Sequence, residues 1–146
     1  MITPQESLQV IGACHCGAVG YAYRTLLLPR DWTVRACQCS FCRAHGALTT
    51  SDPSGSVEFF EHTAGELNRY RFARRTADFL LCCNCGVYLG AVIDTARGRF
   101  GIVNINALKS RPTGLAAAVA ADYEGESADQ RIARREQRWT PVLGAV

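Results

Sequence analysis

All eight cysteines of this chain fall in three short clusters, and their spacing constrains the fold more than any other feature. The clusters are Cys14-His15-Cys16-Gly17, Cys37-Gln38-Cys39-Ser40-Phe41-Cys42 and Cys82-Cys83-Asn84-Cys85-Gly86. A C-x-x-C pair on a turn lets two sulfurs converge to the roughly 2.3 Å of a Zn–S bond. A glycine after the second cysteine permits the positive φ that such a turn uses. Cys82 and Cys85 fit that form, and Cys14 with Cys16 could complete the set from a similar turn. Four thiolates around Zn²⁺ make a closed tetrahedral site of the structural type. Such a site ties the start of the chain to its middle, with a folding contribution on the order of 10 kcal/mol.

The central cluster holds three cysteines, Cys37, Cys39 and Cys42. A zinc with three protein ligands keeps a fourth position for water or substrate, the catalytic arrangement. Three thiolates donate strongly, so this ion suits a soft ligand such as a substrate thiol better than it suits making hydroxide. The alternatives are a fourth ligand that closes the site, so that both zincs are structural, or one zinc accompanied by buried free cysteines. Cys83 is an extra thiol. If its segment is extended it projects opposite to Cys82, and the expectation is a buried, inert side chain.

The chain has 146 residues, 48 % hydrophobic and 20 % charged, which predicts one globular domain over 1–146 with a core at about 7–108 and an extension and helix at about 109–140. The formal net charge is +3, and thiolates ligating two Zn²⁺ ions would offset it. No stretch approaches the roughly 20 apolar residues of a membrane span. Met1 to Gln9 lacks the basic and apolar regions of a secretory signal. A cytoplasmic protein with reduced thiols is therefore expected, not a disulfide scaffold.

The pattern is one of short strands broken by turns. Strands are predicted at Leu8 to Ala13, Ala18 to Thr25, Val34 to Cys37, Val57 to Glu61, Leu67 to Phe72, Phe79 to Cys82, Val87 to Ile93 and Phe100 to Ile105. Cys39 to Gly46 reads as a turn or one helical turn, and Asp52 to Gly55 and Gly98 as turns. The one firm helix is C-terminal: Ser127 caps it with Gln130 as capping-box partner, and Pro141 stops it just beyond Arg138. The fold class is mainly β, with that basic helix at the end.

The segments Gly12 to Gly17, Cys37 to Arg43 and Cys82 to Gly86, followed by Asn104 to Leu108, resemble the glutathione-dependent formaldehyde-activating family, also called the centromere-protein-V family. The resemblance covers roughly residues 7–108. It implies the Mss4-like fold, twisted antiparallel sheets organised around zinc. It implies a structural zinc on Cys14, Cys16, Cys82 and Cys85 and a second zinc on Cys37, Cys39 and Cys42. The implied activity is a carbon–sulfur lyase reaction that reversibly joins formaldehyde to glutathione as S-hydroxymethylglutathione, with glutathione as co-substrate. Gln38 stands where the family commonly has histidine, and Leu81 where it commonly has phenylalanine; neither change removes a ligand.

In the mechanism this suggests, Cys37, Cys39 and Cys42 present a zinc that takes up a substrate thiol. The thiolate adds to an aldehyde, and a nearby acid protonates the alkoxide. His45 is the nearest candidate acid in sequence, and it also reads as a capping or supporting histidine. His15 is expected to point outward and His62 to be solvated. Arg131, Arg134, Arg135 and Arg138 share one helical face, which reads as solvated or acid-paired. Trp139 is the only ring near them, too few for single-stranded nucleic acid. Arg69, Arg71, Arg74 and Arg75 form a second basic stretch that suits an anionic cleft or a surface loop. The expected partner is a small thiol or aldehyde, with neither nucleic acid nor membrane involved. The competing functions are a zinc-stabilised binding module without catalysis and a thiol reductase using Cys83.

Overall fold

A computed structural model of the protein describes residues 6–146. The expectation about Met1 to Gln9 therefore lies, for residues 1–5, outside the described residues. The chain is mainly β. Strands β1 (Leu8–Ala13), β2 (Val19–Thr25) and β5 (Ser56–Glu61) form a small antiparallel sheet in the order β1-β2-β5. Strands β3 (Arg35–Cys37), β4 (Thr49–Thr50), β6 (Leu67–Tyr70), β7 (Asp78–Cys82), β8 (Tyr88–Thr95), β9 (Gly98–Asn104) and β10 (Val119–Ala121) form a large one. Its order is β10-β3-β4-β9-β8-β7-β6, and β11 (Thr140–Pro141) also pairs with β9. All pairings between strands are antiparallel except β10 with β3. Among the described residues there are also two α-helices, α1 (Ser40–His45) and α2 (Ala128–Arg138), and two short 3-10 turns.

Side-chain alternation explains the layering. On β2 the side chains of Val19, Tyr21, Tyr23 and Thr25 are buried while Arg24 is exposed, the period of two that a one-sided strand requires. The central strands of the large sheet are apolar on both faces, as strands covered on both sides must be. Leu80, Leu89 and Val103 pack with Val19, Tyr21, Tyr23 and Phe59 of the small sheet. Their neighbours Phe79, Tyr88 and Ile102 belong to a second core with Cys42 and Trp139. The large sheet thus separates two cores, one shared with the small sheet and one with the helical segments. Cys14 and Cys82 lie in the first, and Cys42 in the second.

Several local expectations hold. Ser127 Oγ accepts from the Gln130 N–H at 3.1 Å while Gln130 Oε1 accepts from the Ser127 N–H at 2.9 Å, so the capping box forms. Ser127→Ala removes the first of these bonds and should cost about 1 kcal/mol in denaturant unfolding. Asp52 organises the predicted turn: Oδ1 accepts from the Ser54 N–H and Oδ2 from the Thr25 hydroxyl at 2.5 Å. The predicted strand Leu67 to Phe72 ends at Tyr70 instead. Ala73 (φ 51°) and Arg75 (φ 54°) are left-handed, which turns Phe72 out of the ladder and into a loop. The short strands β4, β10 and β11 were not anticipated, because two or three residues carry no readable period.

Candidate metal centres and the adjoining cleft

The closed cluster is built from two like turns. Cys14 N–H bonds Val19 O, and Cys82 N–H bonds Val87 O, both at 3.0 Å. Each first cysteine sulfur also accepts a backbone N–H at 3.4 Å, from Val19 for Cys14 and from Cys85 for Cys82. Gly17 (φ 83°) and Gly86 (φ 79°) reverse the chain, as their positions after Cys16 and Cys85 predict. The four sulfurs of Cys14, Cys16, Cys82 and Cys85 all lie within 4.8 Å of one another. Cys16 Sγ is 3.6 Å from both Cys14 Sγ and Cys82 Sγ. A tetrahedron with roughly 2.3 Å Zn–S bonds has edges of roughly 3.8 Å, so this donor set fits zinc without rearrangement.

The second cluster joins three kinds of backbone. Cys37 ends β3, Cys39 caps α1 and Cys42 lies in the first turn of that helix. Cys39 Sγ accepts the Cys42 N–H at 3.3 Å. Gly46, left-handed at φ 57°, closes the short helix. The three sulfurs lie within 4.8 Å of one another. Among the described residues no fourth His, Cys, Asp or Glu joins them. Hydrogen bonds from the Cys37 and Cys42 thiols pull Cys39 down to about 2. The same contacts push Cys37 and Cys42 up. A soft divalent cation suits a donor set of three converging cysteine sulfurs.

A cleft of about 650 Å³ opens on the second cluster. Its floor carries Cys37, Cys39 and Cys42, and its apolar wall carries Phe72, Phe79 and Ile102. The far wall is the segment after β10 together with α2: Tyr123, Arg131, Arg134, Arg135 and Trp139. Strand β10 places that segment, pairing in parallel with β3 so that Ala121 faces Cys37 and Ala121 O accepts the Gln38 N–H at 2.8 Å.

The arginine face, expected to be solvated or acid-paired, is acid-paired at Arg131 and Arg134, but Arg135 departs from both expectations. Arg135 is buried, and Arg131 and Arg134 turn inward onto Glu126, with Arg134 Nε to Glu126 Oε2 at 2.9 Å. Only Arg138 of the four is exposed. In the second basic stretch Arg69 and Arg71 pair with Asp78, while Arg74 lines the cleft. Partial burial raises the Asp78 carboxyl, but Arg71 and Arg69 outweigh it and hold the group low.

Cys83 is exposed, not buried as expected, because β7 stops at Cys82 and the chain turns there. His15 and His62 are exposed, and the His62 ring lies 4.8 Å from that of Phe60. His45 is exposed at the end of α1, its ring 4.5 Å from Phe41 and 5.7 Å from Tyr88. The cleft lining does not include it. Sequence reading missed Arg35, Thr76 and Trp139 as cleft residues. No short-range signal connects them, because pairing of distant strands brings them together.

Two cysteine clusters on opposite faces of one sheet, each able to hold a metal ion and the three-membered one opening on a cleft, define a β protein with two candidate metal centres. The chain belongs to the family of the glutathione-dependent formaldehyde-activating enzyme, whose sequence profile matches residues 9–124. Helix α2 and Trp139 lie beyond that match. A crystal structure of a Rhodobacter sphaeroides protein is similar, at 29 % identity and a TM-score of 0.54, covering 75 % of this chain and 99 % of that one. No curated protein matches the chain. Among the described residues no helix is long and apolar enough to cross a membrane.

Proposed function

We propose that the protein is a zinc-dependent carbon–sulfur lyase acting on adducts of a thiol with an aldehyde, in the manner of S-hydroxymethylglutathione synthesis, in the cytoplasm. The observation that carries this reading is the three-cysteine cluster that lines a cleft and, among the described residues, has no fourth protein ligand. Cys14, Cys16, Cys82 and Cys85 would hold the structural ion, and Cys37, Cys39 and Cys42 the reactive one. Zinc bound there supplies a fourth position that accepts a soft ligand as thiolate. Cys37, Cys39 and Cys42 would hold the ion beside the cleft that they line. Phe72, Phe79 and Ile102 give the reacting carbon an apolar wall. In the forward direction an S–C bond forms, the carbonyl π pair moves to oxygen, and the proton lost by the thiol returns through water to the alkoxide. The reverse direction releases thiol and aldehyde.

His45 serves in this reading as a positioning residue, packing on Phe41 at the end of α1. His45→Ala should therefore lower turnover less than about tenfold, whereas loss of a general acid typically costs about 10²–10⁴-fold. Exchange spectroscopy of formaldehyde with glutathione tests the main proposal. The zinc-loaded protein should accelerate exchange above the spontaneous rate. A fully loaded protein that leaves the rate unchanged would instead be a binding module.

A further inference from the structure

Charge in the cleft is unbalanced, and one of the unpaired arginines, Arg135, is buried. Six arginines line the cleft, at positions 35, 43, 74, 131, 134 and 135, against two carboxylates, Asp122 and Glu124. Arg131 and Arg134 share the single carboxylate of Glu126. Arg135 is only 7 % exposed, and among the described residues it pairs with no carboxylate. Its Nη1 donates to Thr76 Oγ1 at 2.8 Å, and its guanidinium lies 4.7 Å from the centre of the Trp139 ring. Its Nε is buried without any hydrogen-bond partner. Thr76 and Trp139 line the same cleft.

Burying a guanidinium without a counter-ion is costly, and leaving one of its donors unbonded adds to the cost. A hydroxyl and a ring face offset part of this, but neither carries a negative charge. Burial and the neighbouring Arg134 and Arg131 pull the Arg135 group down to about 10, so it still carries its charge at neutral pH. Arg35, also in the cleft, repeats the pattern more weakly. Its Nη2 donates to Ser51 Oγ at 2.6 Å, and no carboxylate pairs with it among the described residues.

We infer that Arg135 binds a carboxylate of the substrate, the buried guanidinium in the cleft wall receiving from the ligand the counter-ion that the chain does not supply. A planar fork of N–H donors is suited to a carboxylate. The inference rests on the proposed function only for what the carboxylate is attached to, the thiol or the aldehyde. Arg135 lies past the family match at residue 124, so this contact would be a specificity element carried by the C-terminal helix.

Titration calorimetry on the zinc-loaded protein tests it without requiring turnover. The probes are glutathione, glutathione diethyl ester and glyoxylate. Glutathione should bind roughly 10- to 100-fold more tightly than its diester, the worth of a charge-assisted contact. Arg135→Gln should erase that difference while leaving the diester's affinity unchanged, and Arg135→Lys should recover part of it. If acid and ester bind alike but glyoxylate binds and Arg135→Gln loses it, the aldehyde carries the carboxylate and the inference stands. Overturning results are a wild type that binds none of the carboxylate probes better than the ester, or an acid preference that survives in a folded Arg135→Gln. Equal loss of every probe in both variants would also overturn it, marking a structural arginine. Carboxylate-selective binding without any acceleration of formaldehyde exchange would sink the lyase reading and leave this one standing.

Discussion

Cys82→Ser should unfold the protein at room temperature or bring it to the edge of unfolding. Cys82 is 2 % exposed in the core between the two sheets, and its sulfur lies 3.6 Å from that of Cys16, on a turn nearly seventy residues away. With zinc on Cys14, Cys16, Cys82 and Cys85, the bound ion fastens the β1–β2 turn to the β7–β8 turn. Structural zinc contributes on the order of 10 kcal/mol in small domains, comparable to the roughly 5–15 kcal/mol that holds a whole domain together. Serine keeps the shape of the side chain but is a poor zinc ligand, and it leaves a hydroxyl in an apolar core. Thermal unfolding followed by circular dichroism would show the cooperative transition lost or shifted down by tens of degrees. A strong chelator should do the same to the unsubstituted protein. A Cys82→Ser protein that melts within a few degrees of the original would remove the structural site from the account.

Cys39→Ser should have the opposite profile, intact folding with activity gone. The central cluster lies in the other core, on the far face of the large sheet, and joins only β3 to α1. Cys39 also caps α1, accepting the Cys42 N–H, and serine is itself a favoured N-cap. The expected stability change is therefore within about 1 kcal/mol. Losing a ligand from the reactive ion should cost on the order of 4 kcal/mol of transition-state stabilisation, about a thousandfold in rate. The pair of variants separates the two clusters: one result reads folding, the other chemistry.

Much of this was legible because ligand spacing is local. The turns at Cys14 and Cys82 each need a glycine three or four residues on, and both have it. The capping box at Ser127 and Gln130 is likewise set within one turn of chain. Two cysteines on one turn need two more ligands, and the family resemblance implies the grouping of Cys14 and Cys16 with Cys82 and Cys85, whose sulfurs the fold brings together. What the sequence concealed is non-local. Cys83 was expected to be buried on the assumption that β7 continues past Cys82, whereas the same turn that presents Cys85 exposes Cys83. The helical arginines were expected on a face either solvated or paired with acids, and the burial of Arg135 was not foreseen. Glu126 and Trp139 flank the helix, but the contact of Arg135 with Thr76 joins residues far apart in the chain. Strands β10 and β11 are too short to show a period, so the wall of the cleft emerges only when they pair.

The most direct test of the central claim is metal content together with X-ray absorption at the zinc edge, recorded with and without glutathione. The account predicts about two zincs per chain, with average sulfur coordination near 3.5 rising toward 4 as the thiol enters the second site. A single zinc, or two whose coordination ignores added thiol, would contradict it.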